Sequence, residues 1–242
     1  MKPFVFFECR PQNAVAEDEY AALLRITGFT ALEIERIWLS EWQGEFDFSQ
    51  YSGVIVSGSP YGYHTEQAAK SPEQIKIEAN IAKIADYCLD NDFPYFGICF
   101  GLQALAVREG LPLTGEYAED IDAVQIQQTA AGLADAIFRK IPAEFFCYTG
   151  HSEAVCAPLE SGVLLAWSPS CPIQAVRFGN NVYGVQFHPE INRDSLEVRL
   201  AAYAGKYFDL DGADKVRARV HGKDVSSGEI LIRAFVETYQ ES

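Results

Sequence analysis

Basic residues are scarce in this 242-residue chain: 19 Lys and Arg face 34 Asp and Glu, for a net charge of −15. Nucleic acid and anionic membrane surfaces are therefore poor partners for it. Long apolar runs are also missing. Phe4-Val5-Phe6-Phe7 is followed at once by Glu8 and Arg10, too early for a signal-peptide core, and reads as a first buried strand. Nothing elsewhere approaches the length of a bilayer span. The six cysteines show no CxxC or finger spacing, which argues against a zinc site and a disulfide framework. There is no internal repeat, low-complexity tract or composition break. What is present is ordinary for a globular protein, 48% hydrophobic and 22% charged residues, and it predicts one domain over 1–242.

Apolar runs alternate with helical patterns through the first hundred residues. Phe4 to Phe7, Leu32 to Trp38 and Val54 to Val56 read as strands. Asp18 to Ile26 carries a helical apolar face, and Ser71-Pro72-Glu73 opens a second helix reaching about Leu89. This alternation predicts a parallel sheet with helices on its faces. After Gly110 the texture turns β-rich, with strands expected at Val124 to Gln128, Glu144 to Tyr148, Val163 to Trp167 and Ile173 to Phe178. Gly179-Asn180-Asn181 reads as a hairpin turn. Ser195 to Tyr207 and Ser226 to Tyr239 read as closing helices, and the polar stretch Asp209 to Lys223 as a mobile connection.

Two motifs carry chemistry. Tyr95-Phe96-Gly97-Ile98-Cys99-Phe100-Gly101-Leu102-Gln103 is a short apolar run ending at a cysteine between two glycines, with a helix-like stretch behind it. That pattern builds a tight strand-to-helix turn which lifts one side chain out of the sheet and sets it near a helix N-terminus, where a thiolate is favoured. Val182 to Glu190 reads as a strand ending in His188-Pro189-Glu190. Residues two apart on an extended chain share a side, so Glu190 reaches the His188 imidazole. Cys99, His188 and Glu190 thus form a nucleophile, base and orienter set. The other cysteines (Cys9, Cys88, Cys147, Cys156 and Cys171) read as core, and His64, His151 and His221 as solvent or loop residues rather than bases.

These two motifs, in this order, resemble those of the class I glutamine amidotransferases, and most of all the branch that includes the glutaminase half of GMP synthetase. The resemblance covers roughly residues 40 to 200, leaving a helical extension over about 205–242. It implies a three-layer α/β sandwich around a mostly parallel, flavodoxin-like sheet, with extra strands in the second half. It also implies attack of Cys99 on a γ-glutamyl amide, a glutamyl thioester and departure of ammonia. The β-branched run ending at Ser57-Gly58-Ser59 matches the loop that supplies one oxyanion donor in the family, so Gly58 N–H and Phe100 N–H are the expected pair. Gln103, His151 and Glu153 match substrate-binding positions. His151-Ser152-Glu153 stands where relatives often carry His-Gly-Asp, and Asp120-Ile121-Asp122 lacks a glycine found there in relatives.

The chain carries no Gly-rich phosphate loop, so no ammonia-consuming synthetase half is expected within it. The leading expectation is a stand-alone cysteine-dependent hydrolase that releases ammonia from glutamine, handing it to a separate synthetase subunit or hydrolysing on its own account. A γ-glutamyl peptidase is the second reading, with the loop from Gly62 to Lys70 gating the leaving-group side. A non-catalytic regulatory subunit of the same fold is the third, disfavoured by the complete triad. The chemistry calls for no metal or organic cofactor, and an active thiol suits a reducing cytoplasm.

Overall fold

The computed structural model describes residues 2–203 and 210–240. Its first half runs β1 (Phe4–Glu8), α1 (Ala14–Thr27), β2 (Ile34–Trp38), β3 (Gly53–Val56), α2 (Pro72–Asn91), β4 (Tyr95–Ile98) and α3 (Phe100–Arg108). The second half runs β5 (Leu113–Thr114), β6 (Glu119–Gln128), α4 (Ala130–Ala134), β7 (Glu144–His151), β8 (Ala154–Val155), β9 (Val163–Trp167), β10 (Ala175–Phe178) and β11 (Val182–Val185). Three helices close it: α5 (Arg193–Tyr203), α6 (Leu210–Val220) and α7 (Ser226–Tyr239).

Nine strands form one sheet in the order β2-β1-β3-β4-β11-β10-β9-β6-β7, and β5 pairs with β8 apart from it. From β2 to β11 every pairing is parallel. From β11 to β7 every pairing is antiparallel. The two-residue period of β1 divides the core. Phe4 and Phe6 face α1 and α7, whereas Val5 and Phe7 face α2 and α3. The sheet is thereby covered on both faces, and the α/β sandwich expected from the alternation is what the chain builds.

Helix starts follow local chemistry. Ser71 accepts from the Gln74 amide with Pro72 behind it, and Asn13 accepts from the amides of Val15 and Ala16. Two elements depart from the sequence expectation. The strand before His188 is regular only through Val185; beyond it Gln186 N–H donates to Gln174 O and His188 N–H to Tyr148 O, which carries the chain across to β7. The segment expected to be a mobile connection contains α6, because Val216 and Val220 pack on Ala123, Tyr148, Ile191, Leu196 and Leu200. Asp209 and positions 204–207 of the helix expected to run to Tyr207 lie outside the described residues. Cys156 is only half-buried, unlike the other cysteines, which are core. Among the described residues no helix is long and apolar enough to cross a membrane.

Candidate active site

The C-terminal ends of the parallel strands converge on one place, as they do at ligand sites of open α/β sheets. β4 ends at Ile98, and Cys99 follows with φ 51° and ψ −94° before α3 begins. A non-glycine residue held there is strained, and such strain persists only where the surroundings enforce it. The enforcement is visible. Cys99 N–H donates to Val185 O at 2.7 Å, and Tyr95 OH donates to Gly101 O at 3.0 Å. A β-carbon on Gly97 would stand 2.6 Å from the Gly101 backbone, so only glycine lets the turn close. The thiol accordingly projects at the α3 N-terminus, where the first amides lack intrahelical acceptors.

His188 and Glu190 meet as their spacing predicts, with Nδ1 2.8 Å from Glu190 Oε1. Cys99, His188 and Glu190 are 5%, 5% and 2% exposed, so their charges are poorly screened. Burial opposes a charged imidazole, but the Glu190 carboxylate and the Cys99 sulfur outweigh it and lift His188 to about 10. Burial also opposes the Glu190 carboxylate, yet His188 and Arg199 hold it down at about 2. Gly58 lies against all of this. A β-carbon there would stand 2.9 Å from His188 Cε1 and 3.7 Å from Cys99 Cβ.

Several participants left no local signal in the sequence. Arg199 Nη2 donates to Glu190 Oε1 at 2.9 Å and to Glu19 Oε1 at 2.7 Å, and Arg10 Nε donates to Glu19 Oε2 at 2.8 Å. These groups are buried, and they join α1, α5 and the end of β1 into one ion-pair chain behind His188. Gln186 Nε2 lies 3.5 Å from Cys99 Sγ as a donor to the sulfur. The one available hint was charge placed inside or beside apolar patterns, as at Arg10 and Arg199.

A cavity of about 690 Å³ opens over Cys99 and His188. Gln103 and His151 line it, as do Asp120 and Ile121, while the face of α6 bearing Lys215 and Arg219 forms its outer wall. Gln103 Nε2 donates to Glu153 O at 2.7 Å. His151, expected in a solvated loop unless it bound substrate, is buried. Its Nε2 lies 2.8 Å from Glu119 Oε2, and its Nδ1 3.1 Å from Glu153 O. Glu119 also accepts from Ser170 and Gln174. Burial works against its charge, but these donors pull its pKa below the usual carboxylate range.

Glu153 and the gate are corrected by the geometry. Both Glu153 oxygens accept backbone amides, Tyr63 N–H and His64 N–H, each at 2.9 Å. Its carboxylate thus anchors the 62–70 loop instead of facing the cavity. Tyr63 stacks on Phe100 with centroids 4.9 Å apart, so that loop is tied down at its start. Asp122 pairs with Arg219 and Lys223 and fastens α6. Among the described residues two carboxylate-bearing sets come within metal-ligating reach, Glu119-His151-Cys171 and Glu19-His188-Glu190. In the first the carboxylate oxygens already accept hydrogen bonds, and in the second two guanidinium groups stand where a cation would be repelled.

The sequence model of the glutamine amidotransferase class-I family matches residues 22–200, and the chain belongs to that family. The chain is 30% identical over 148 residues to the glutamine-hydrolysing GMP synthase subunit of Picrophilus torridus, covering 58% of this chain and 68% of that one. It is 30% identical over 146 residues to the GMP synthase of Ectopseudomonas mendocina, covering 57% of this chain and 25% of that one. The chain thus spans about a quarter of the length of that relative. A glutamine amidotransferase of Thermotoga maritima superposes over 100% of both chains with a TM-score of 0.75 at 18% identity, a likeness of fold.

Proposed function

We propose that the protein hydrolyses the γ-carboxamide of glutamine through a thioester on Cys99. The observation that carries this is the strained Cys99 at the β4–α3 turn, set against the His188–Glu190 pair and open to the cavity. His188 holds the proton, so sulfur attacks the γ-carbonyl carbon as the thiolate. The carbonyl oxygen gathers charge and is met by the N–H groups of Gly58 and Phe100. As the intermediate collapses, the C–N bond breaks and His188 gives its proton to the departing ammonia. The neutral ring then takes a proton from water, whose oxygen adds to the thioester and releases glutamate. Glutamine and water become glutamate and ammonia. Glu190 keeps the ring oriented, and Gln186 donates to the sulfur. Ammonia released from glutamine by wild type and not by Cys99→Ala checks this; equal release by both refutes it.

The ammonia passes to a separate synthetase subunit, in keeping with the Picrophilus relative, which is one subunit of a GMP synthase. A second reading is favoured by one observation: the cavity is far larger than an amino acid needs and extends to α6. In that reading the leaving group is a peptide amine, and γ-glutamyl dipeptides are cleaved faster than glutamine. Both substrates assayed side by side decide. If neither is cleaved, the site is the binding surface of a non-catalytic subunit.

A further inference from the structure

The loop over Cys99 is held from behind by a buried carboxyl that the reaction does not use. Glu8 ends β1 fully buried, with Oε1 3.0 Å from Ser57 Oγ and Oε2 buried without a hydrogen-bond partner among the described residues. Ser57 Oγ has two other neighbours. Cys9 N–H donates to it at 2.8 Å, and the Gly58 carbonyl accepts from it at 2.8 Å. A hydroxyl owns one hydrogen and two lone pairs. The carbonyl can only accept, so the hydrogen goes to Gly58, and the Cys9 amide fills one lone pair. The other lone pair faces Glu8, and only a protonated carboxyl satisfies it. An ionised Glu8 competes with Gly58 for the same hydrogen and leaves a charged oxygen orphaned.

Charge balance agrees. The groups facing Glu8 are Glu19 from α1, Arg10 from the exit of β1 and Arg36 from β2, besides Cys9 and Ser57. Arg10 and Arg199 match Glu19 and Glu190, and Arg36 is engaged by Glu17 at 3.1 Å. Among the described residues both cations acting on Glu8, Arg10 and Arg36, are thus engaged by other carboxylates. Burial and the Glu19 charge push its carboxyl up to about 8, against the pull of Arg10.

We propose that Glu8 is a positioning residue working as a carboxylic acid, which through Ser57 holds the Gly58 carbonyl and so aims the Gly58 N–H at the forming oxyanion. The Gly58 carbonyl lies in the next peptide, but the ring closed by the Ser57–Gly58 hydrogen bond contains the whole Ser57–Gly58 peptide, so keeping the ring closed restrains the rotation of the plane that carries the Gly58 N–H. Loss of the Glu8 proton turns the Ser57 hydrogen to the carboxylate. The peptide is then free to rotate, since glycine offers no side chain to resist. This role rests on the glutaminase reading, because an oxyanion is what the Gly58 N–H serves.

Two measurements on the full chain separate the failures. In the first, the Gly58 amide resonance is followed by NMR from about pH 6.5 to 9.5, bracketing the Glu8 carboxyl at about 8, in wild type, Glu8→Gln and Ser57→Ala. Cys99 and His188 face Gly58 in all three, so a titration seen in wild type alone belongs to Glu8. In the second, kcat and KM for glutamine are measured over the same range. Wild-type kcat falls as pH passes about 8 with KM nearly constant, while Glu8→Gln keeps kcat at pH 7 and loses the fall. Ser57→Ala lowers kcat by about tenfold to a hundredfold at every pH. A Gly58 resonance that is flat in wild type, or that titrates equally in Glu8→Gln, overturns the role of Glu8. A Gly58 titration confined to wild type, in a protein that hydrolyses no glutamine, upholds the hold on the peptide and overturns the glutaminase reading instead.

Discussion

The two halves of the sheet present their groups differently. In the parallel half, β1, β3 and β4 end together and offer turns: the Glu8–Arg10 corner, the Ser57–Ser59 loop and Cys99. What these turns fix is backbone, stitched by Cys9 N–H to Ser57 Oγ and by Ser59 Oγ to Cys9 O at 2.8 Å. In the antiparallel half, β6 and β7 offer side chains, Glu119 and His151, tied to each other and to Ser170 and Gln174. A parallel sheet, with helices following its strands, points helix N-termini and amides at a ligand. Antiparallel strands with one solvated edge have room for long polar groups. On the proposed function, attack by Cys99 falls to the first half and recognition to the second, and the comparison can be broken from either side.

The largest effect is expected at Cys99. Its change to Ala lowers glutamine hydrolysis by about 10⁴-fold or more and leaves the melting temperature nearly unchanged, since Ala keeps the β-carbon and the same backbone turn; ammonia release and thermal unfolding measure both. Arg199→Leu comes next. It leaves Glu19 and Glu190 buried with fewer counter-charges, which costs about 3–5 kcal/mol of stability, read from urea unfolding. A loss under about 1 kcal/mol would show that α5 does not brace the site.

The pH dependence of stability tests the same half. His188 is lifted to about 10, so its contribution is complete below about 6.5 and is lost as pH rises through 10. Glu190 is held at about 2, so its contribution is complete above about 4.5 and is lost as pH falls toward 2. Glu8, lifted to about 8, itself makes stability fall between about 4.5 and 8. In a Glu8→Gln background, therefore, melting temperature plotted against pH should show the pair's full effect between about 4.5 and 6.5, and there His188→Gln should remove the remaining alkaline decline.

The antiparallel half predicts smaller losses. Glu153→Gln replaces a doubly accepting carboxylate and costs about 1.5–3 kcal/mol, while raising KM more than it lowers kcat as the 62–70 loop loosens. Asp122→Ala frees α6 from Arg219 and Lys223, pairs that are partly exposed, and costs about 0.5–1 kcal/mol. If Glu153→Gln instead cut kcat as deeply as a change at Gly58, the division between the two halves would fail.

The legible part of this site was the local part. Gly97, Cys99 and Gly101 declare a turn within five positions, and His188 and Glu190 declare a shared side within three. Glu8, Arg10, Glu19 and Arg199 left no such mark, because their partners lie on other elements and a charge ending an apolar strand reads as a strand end. Glu153 was read as a ligand for substrate because its place in the chain is right; its direction depends on a loop ninety positions away, at Tyr63. The helix α6 was missed for a related reason. Its sequence is mostly polar, and its helicity is sustained by Val216 and Val220 against Tyr148 and Leu196.

Gly228, in the first turn of α7, lies so close to Pro189 that a β-carbon would stand 2.8 Å from Pro189 Cα, and further along α7 Phe235 packs on Phe4 and Phe96. During synthesis the sulfur, the imidazole and the carboxylate all emerge before this helix does. A nascent chain therefore owns every reactive group while the floor beneath them is still missing. On the proposed function, translation thus delivers the reacting groups before the helix that seals the first strand beneath them.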